Sequence, residues 1–146
     1  MKTLPSAALG RYLSQKPGAG NHTSPTTYVV NGAGTVTPSD LTGLRQLLPQ
    51  VRQKAAAITD SARLRERVEL LAQFFEETAA TGGTAERREA AFVLFYFLKG
   101  YDLIPDTLPG IGLLDDALLV ETVYNRNQLA LRSHWAAQGR PWPGFP

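Results

Sequence analysis

The reading of residues 90–119 decides the fold: AAFVLFYFL (90–98), then KGYDLIPDTLPGIG (99–112), then LLDDALL (113–119). The first run has no polar face, and a helix without one belongs in a protein core or in lipid. At 1.5 Å per residue it covers only about 14 Å, roughly half the hydrocarbon thickness of a bilayer, before Lys99-Gly100 ends it. A hairpin dipping into lipid would need an apolar second arm, yet that arm carries Asp115 and Asp116. The run is therefore expected to be a core helix.

The loop that follows has the composition of a rigid corner. Pro105 and Pro109 restrict φ, Gly110 and Gly112 permit positive φ, and Leu103, Ile104, Leu108 and Ile111 are apolar enough to fold the loop back onto the helices. Asp102 and Asp106 can accept backbone N–H bonds in turns or caps. Asp115 and Asp116 are expected in the first turn of the next helix, where the dipole favours negative charge. The same acids have a second reading, as a hard-cation site that activates water, which would make the chain a small carboxylate-metal enzyme. Against it, adjacent Asp115 and Asp116 diverge by about 100° on a helix. His22 and His134 lack the spacing of a zinc site. No metal or cofactor is expected, and catalysis is the alternative, not the main reading.

Asp102-Leu103-Ile104-Pro105-Asp106, then Pro109 and Gly112, then Leu114-Asp115-Asp116, resembles the YkvA-like family, a bacterial domain of unknown function with the pattern D-L-I-P-D, P-x-x-G, L-D-D. The resemblance covers residues 88–125, about a quarter of the chain. Lys99-Gly100-Tyr101 departs from the Ser-Pro and aliphatic residue that often precede the first Asp there. The resemblance implies a small helical domain, often described as membrane-associated, with no family activity to carry over.

With 146 residues, 43% of them hydrophobic, the chain suits one domain with a real core. The absence of Cys excludes disulfides and thiolate chemistry and fits a reducing compartment. Near the N-terminus Pro5, Ser6, Gly10 and Arg11 interrupt any apolar export segment, so the expected location is cytoplasmic, with membrane association as the family's extension. The net charge of +2 conceals segregation: residues 1–37 hold no acid, and residues 101–122 hold five acids and no base. Arg45, Arg52, Lys54, Arg87 and Arg88 are basic but not interleaved with aromatics, so nucleic-acid binding is not expected.

Three further helices and two tails complete the reading. Residues 1–36 are expected to be a flexible arm with a short helix over Ser6–Gln15. In it Thr27-Tyr28-Val29-Val30 could add as a strand to a partner's sheet, placing Tyr28 and Val29 at an interface. Thr37-Pro38-Ser39-Asp40 reads as a capping box with Pro at N1, opening a helix whose stripe is Leu41, Leu44, Leu48, Val51, Ala55 and Ile58. Pro49 is expected to kink or restart it. A second helix is expected from an Asp60 cap to Gly82-Gly83, its wet face laced by Arg63–Glu66 and Arg65–Glu69 pairs. The apolar run makes the third, and residues 113–137 the fourth. The ending 139–146 offers Trp142 and Phe145 between prolines as partner-binding aromatics. The expected whole is an all-α antiparallel bundle of about four helices over residues 37–138. Its expected role is that of a non-enzymatic interaction or scaffold module with a protein partner or peripheral membrane contact.

If the corner acids are structural, Asp102→Ala or Asp106→Ala costs on the order of 1 kcal/mol, equally with and without Mg²⁺ or Ca²⁺. Melts of wild type and variant in each ion check this. A wild-type Tm that climbs with the cation, and a variant that loses the climb, would establish a metal site instead.

Overall fold

A helix that is apolar all round must be enclosed by its neighbours, and the architecture is that enclosure. A computed structural model describes residues 6–13, 24–59, 61–98 and 111–142, with side chains from residue 117 onward in the last stretch. Among these residues are α1 (Ala7–Leu13), α2 (Pro25–Ala33), α3 (Pro38–Ala56), α4 (Ala62–Glu77), α5 (Ala85–Leu98), α6 (Ile111–Arg126) and α7 (Gln128–Ala137). A 3-10 turn covers Ala79–Thr81, and no described residue is in a strand. The fold is all-α, with more helices than the four expected.

Helix α5 packs against α2, α3, α4 and α6, and every side chain from Ala90 to Leu98 is buried. Among the described residues no helix is long and apolar enough to cross a membrane. The start of α3 forms as its sequence requires: the Thr37 hydroxyl accepts from the Asp40 N–H at 3.1 Å and the Asp40 carboxylate accepts from the Thr37 N–H at 2.9 Å. Pro49 lies inside an unbroken α3, so no restart occurs there. Ser61 accepts from the first turn of α4, through the Leu64 N–H at 3.2 Å, and Asp60, the expected cap, lies outside the described residues. The expected fourth helix is two: Asn127 divides α6 from α7, its side-chain amide turned back onto the Val123 carbonyl at 2.9 Å and onto the Glu89 carboxylate at 3.0 Å.

For residues 6–13 and 24–36, the described part of it, the expectation of a flexible arm over residues 1–36 is corrected. Leu9 and Leu13 of α1, and Tyr28, Val29 and Ala33 of α2, are buried in the common core, and α2 lies against both α5 and α6. Thr27–Val30 is helical in spite of its β-branched residues. The Ser24 hydroxyl caps the Thr27 N–H at 3.1 Å and Pro25 supplies a preset first helical φ, and together these outweigh a weak strand preference. Tyr28 and Val29 are thus core residues, turned away from any partner. The Tyr12, Tyr28 and Phe92 rings meet pairwise, both tyrosines 5.6 Å from Phe92, and the Tyr12 hydroxyl donates to the Tyr28 carbonyl at 2.8 Å.

One carboxylate ties this N-terminal layer down. Fully buried Asp40 accepts from the Ser6 N–H and Ser6 hydroxyl, both at 2.7 Å, in addition to its two bonds from Thr37. A buried charge with four donors is satisfied, so it costs little to keep and much to disturb.

The packing of α2 on α5 is close enough to test. Gly32 leaves no room for a Cβ, which would overlap the Phe92 ring. Gly32→Ala should lower stability by about 1–3 kcal/mol through overpacking, even though alanine is the better helix former by about 1 kcal/mol. Urea unfolding measures it; a stabilised variant would mean that α2 does not sit on Phe92.

Candidate functional site

The corner singled out in the sequence falls largely beyond what the structure describes: Asp102, Pro105, Asp106 and Pro109 lie outside the described residues, as does Phe145. Gly112, Asp115 and Asp116 belong to the backbone of α6. That helix starts at Ile111, two residues before the expected 113, so the two acids fall beyond its first turn, where the dipole acts weakly. Among the described residues no cluster of three or more His, Asp or Glu could hold a metal ion.

What the structure does bring together is a set of charged side chains inside the helix contacts. Arg87 of α5 is buried with no carboxylate: its guanidinium donates to the Thr78 hydroxyl at 3.1 Å, the Gly82 carbonyl at 2.6 Å and the Phe75 carbonyl at 3.1 Å, and lies 4.3 Å over the Phe75 ring. It thereby serves the carbonyl end of α4, where a cation is favoured. Burial, with Arg45 nearby, pulls the Arg87 pKa down. Buried Glu89 receives a two-pronged bond from Arg126, both arms 3.0 Å. Arg67 of α4 is also buried, bonding Glu121 of α6 at 2.9 Å, and Arg63 reaches the other oxygen of Glu121 at 2.9 Å. Burial pushes the Glu121 carboxyl up, but the two arginines outweigh it and hold it below the usual range. The expected Arg63–Glu66 and Arg65–Glu69 pairs are replaced: Arg63 crosses to α6, and Arg65 donates to the Ile58 carbonyl at 2.8 Å.

The second assembly is at the C-terminal side. Gly139, at φ 69°, ends α7 in a reversing turn in which the Arg140 N–H bonds the Trp135 carbonyl at 3.2 Å and the Gly139 N–H bonds the Ala136 carbonyl at 3.0 Å. The turn swings Arg140 over the Trp135 ring at 4.8 Å and onto Glu77 of α4, and brings Trp142 against α6. A layered stack results. Arg67 lies 3.7 Å over the Tyr124 ring, Tyr124 stacks on Trp142 at 6.2 Å, and Arg132 covers Trp142 at 4.8 Å, while Trp135 meets the edge of Trp142 at 5.7 Å. Trp142, expected to be a partner-binding aromatic, is half-buried on its own domain. Three polar atoms here, the Tyr124 hydroxyl, the Trp142 Nε1 and the Arg140 Nε, are buried without a hydrogen-bond partner. A shallow hollow of about 200 Å³ elsewhere, lined by Val30, Ala33, Gly34, Ala85, Arg88 and Glu89, brings together no comparable set of groups.

Sequence reasoning missed Arg67, Arg87 and Glu89, although their spacing carried a signal. Arg67 is three residues from Leu64 and four from Leu71; Arg87 is three from Ala90 and four from Ala91; Glu89 is three from Phe92. Charged residues in phase with an apolar stripe lie inside the helix contacts, not outside them.

Glu77 accepts from Arg140, from His134 at 2.8 Å and from Gln73 at 3.0 Å, and the Arg140 bond above all, aided by the other two against burial, lowers its pKa from 4.5 to about 2. A depressed carboxyl contributes stability that is present above its unfolded value and lost as pH falls through the folded one. Glu77→Gln should therefore lower Tm near neutral pH and lose that difference between about pH 4.5 and pH 2. Because the side chain is about a third exposed, the effect is modest. Melts of both proteins across that range check it; parallel curves would mean that the tie to Glu77 does not form in solution.

No curated protein and no solved structure shows a significant match to the chain. One family does, described as a protein of unknown function (DUF1232), over residues 87–121, a stretch that begins at buried Arg87, includes all of the apolar run and ends at Glu121.

Proposed function

We propose that the protein is a non-enzymatic interaction module of the YkvA-like kind, an antiparallel bundle of α3, α4, α5 and α6 that presents its C-terminal aromatic stack to a protein partner. The observation that carries this reading is the concentration of unpaired polar atoms in the stack. Elsewhere buried Asp40, Arg87 and Glu89 are fully engaged, whereas Tyr124, Arg140 and Trp142 each keep a buried polar atom without a partner. Each such atom costs about 1–3 kcal/mol, an expense that a folded protein seldom keeps without a use. Leu129 of α7, the helix that carries Arg132, is 82% exposed. A half-buried tryptophan covered by an arginine has the composition of an interface hot spot.

The test is affinity capture from the native host with wild type and Trp142→Ala, alongside thermal melts of both. The variant should fold with a small drop in Tm and lose its partner by roughly 30-fold in affinity, the equivalent of the about 2 kcal/mol or more typical of a truncated aromatic anchor. A variant that melts far below wild type while recovering the same partner per folded molecule would make Trp142 a core residue and nothing more.

A further inference from the structure

We infer that the partner segment read by this stack is acidic: the Tyr124–Trp142 pair and its arginines form a docking site for a carboxylate-bearing peptide. The inference deepens the interaction reading above and rests on it.

Three observations carry it. The unpaired atoms are donors: Trp142 Nε1 and Arg140 Nε can only donate, and the Tyr124 hydroxyl can donate its proton. The residue that bears that hydroxyl is only 1% exposed, so the group is held in the packing and is not free to find water. Among the described residues the charge is also incompletely matched. Arg63, Arg67, Arg132 and Arg140 bond two carboxylates between them, since Arg63 and Arg67 share Glu121 and Arg140 takes Glu77, while Arg132 has the neutral Gln128 side chain at 3.2 Å. His134, which shares Glu77, adds no negative charge. Donors without acceptors, beside an Arg132 that has no carboxylate among the described residues, fit a group that supplies acceptors and negative charge together, and a carboxylate does both.

The alternative polyanion, a single-stranded nucleic acid, would need open ring faces on which to stack its bases. Here the faces are taken: Tyr124 lies between Arg67 and Trp142, and Trp142 between Tyr124 and Arg132. A peptide makes no such demand.

Both tryptophans of the chain, Trp135 and Trp142, are in this cluster, so intrinsic fluorescence reads the site alone. The full chain is titrated with an acetylated hexaglutamate peptide, with hexaglutamine, with inorganic phosphate and with an oligothymidylate. Saturable binding of hexaglutamate that weakens with salt is expected, with no binding of hexaglutamine. Tyr124→Phe should weaken it by about 5-fold or more while raising Tm by about 2–4 °C, because the variant deletes a buried hydroxyl that has no partner in the free protein. Arg132→Gln should weaken it comparably with no change in Tm. Absent binding, equal binding of hexaglutamine, a preference for oligothymidylate, phosphate binding as tight as hexaglutamate, or a Tyr124→Phe variant that binds unchanged or melts lower each overturns the inference. If hexaglutamate fails but Trp142→Ala still abolishes partner capture, the module reading stands and only the acidic chemistry is wrong; if capture survives Trp142→Ala, the module reading falls as well.

Discussion

Everything in this structure depends on hiding the nine side chains from Ala90 to Leu98 on all sides at once. An amphipathic helix can lean on one neighbour; a helix apolar all round cannot, and α2, α3, α4 and α6 are all needed to keep water from it. Burial is non-directional, however, and by itself sets neither the rotation of α5 nor its axial position. Polar groups near its ends do so. At the start Arg87 grips the carbonyl end of α4 and Glu89 grips Arg126 at the end of α6; at the far end Lys54 of α3 donates to the Phe97 carbonyl and lies 4.8 Å from the Phe97 ring. The α5 helix is held by greasy contact along its length and by directed bonds at its tips.

Those directed bonds are of a kind that costs much to break and little to keep. Arg87 is charged and buried with only neutral oxygens around it, which works because three of them converge on one guanidinium and two are carbonyls at or just beyond the end of α4. Glu89 and Arg126 face each other in parallel, and Asp40 takes four donors. The C-terminal stack is built to a different standard. It is well packed yet leaves donors unanswered, and that contrast is the ground on which the interaction reading is proposed.

The sequence was legible wherever one local rule decided the outcome. Thr37, Pro38 and Asp40 announced α3, and the all-apolar run announced a core helix. It was misleading where a tertiary partner outbid a local preference. Tyr28 and Val29 carry strand character, but Phe92, more than sixty residues on, offers the Tyr28 ring a place to pack from a helix. The short helix expected over Ser6–Gln15 is found as α1, whereas α2 went unread because its stability lies in what it touches. The candidate site was half legible: Trp142 was named from its prolines and its size, while the arginines that sandwich the stack, and its unpaired donors, depend on chain reversals that no local pattern encodes.

The bond from Ser6 to Asp40, and the contact of Tyr12 with Phe92, carry a consequence for the order of events as the polypeptide is made. The first helix leaves the ribosome long before the α5 surface it will cover exists, and a seven-residue helix cannot hold its shape alone in water. Until Phe92 and its neighbours have emerged and collapsed onto α3 and α4, the leading segment is a tether awaiting a socket. The apolar run is thus made before its final cover can seat, which leaves a window in which a chaperone, or another nascent copy, meets the same bare side chains that the finished fold hides.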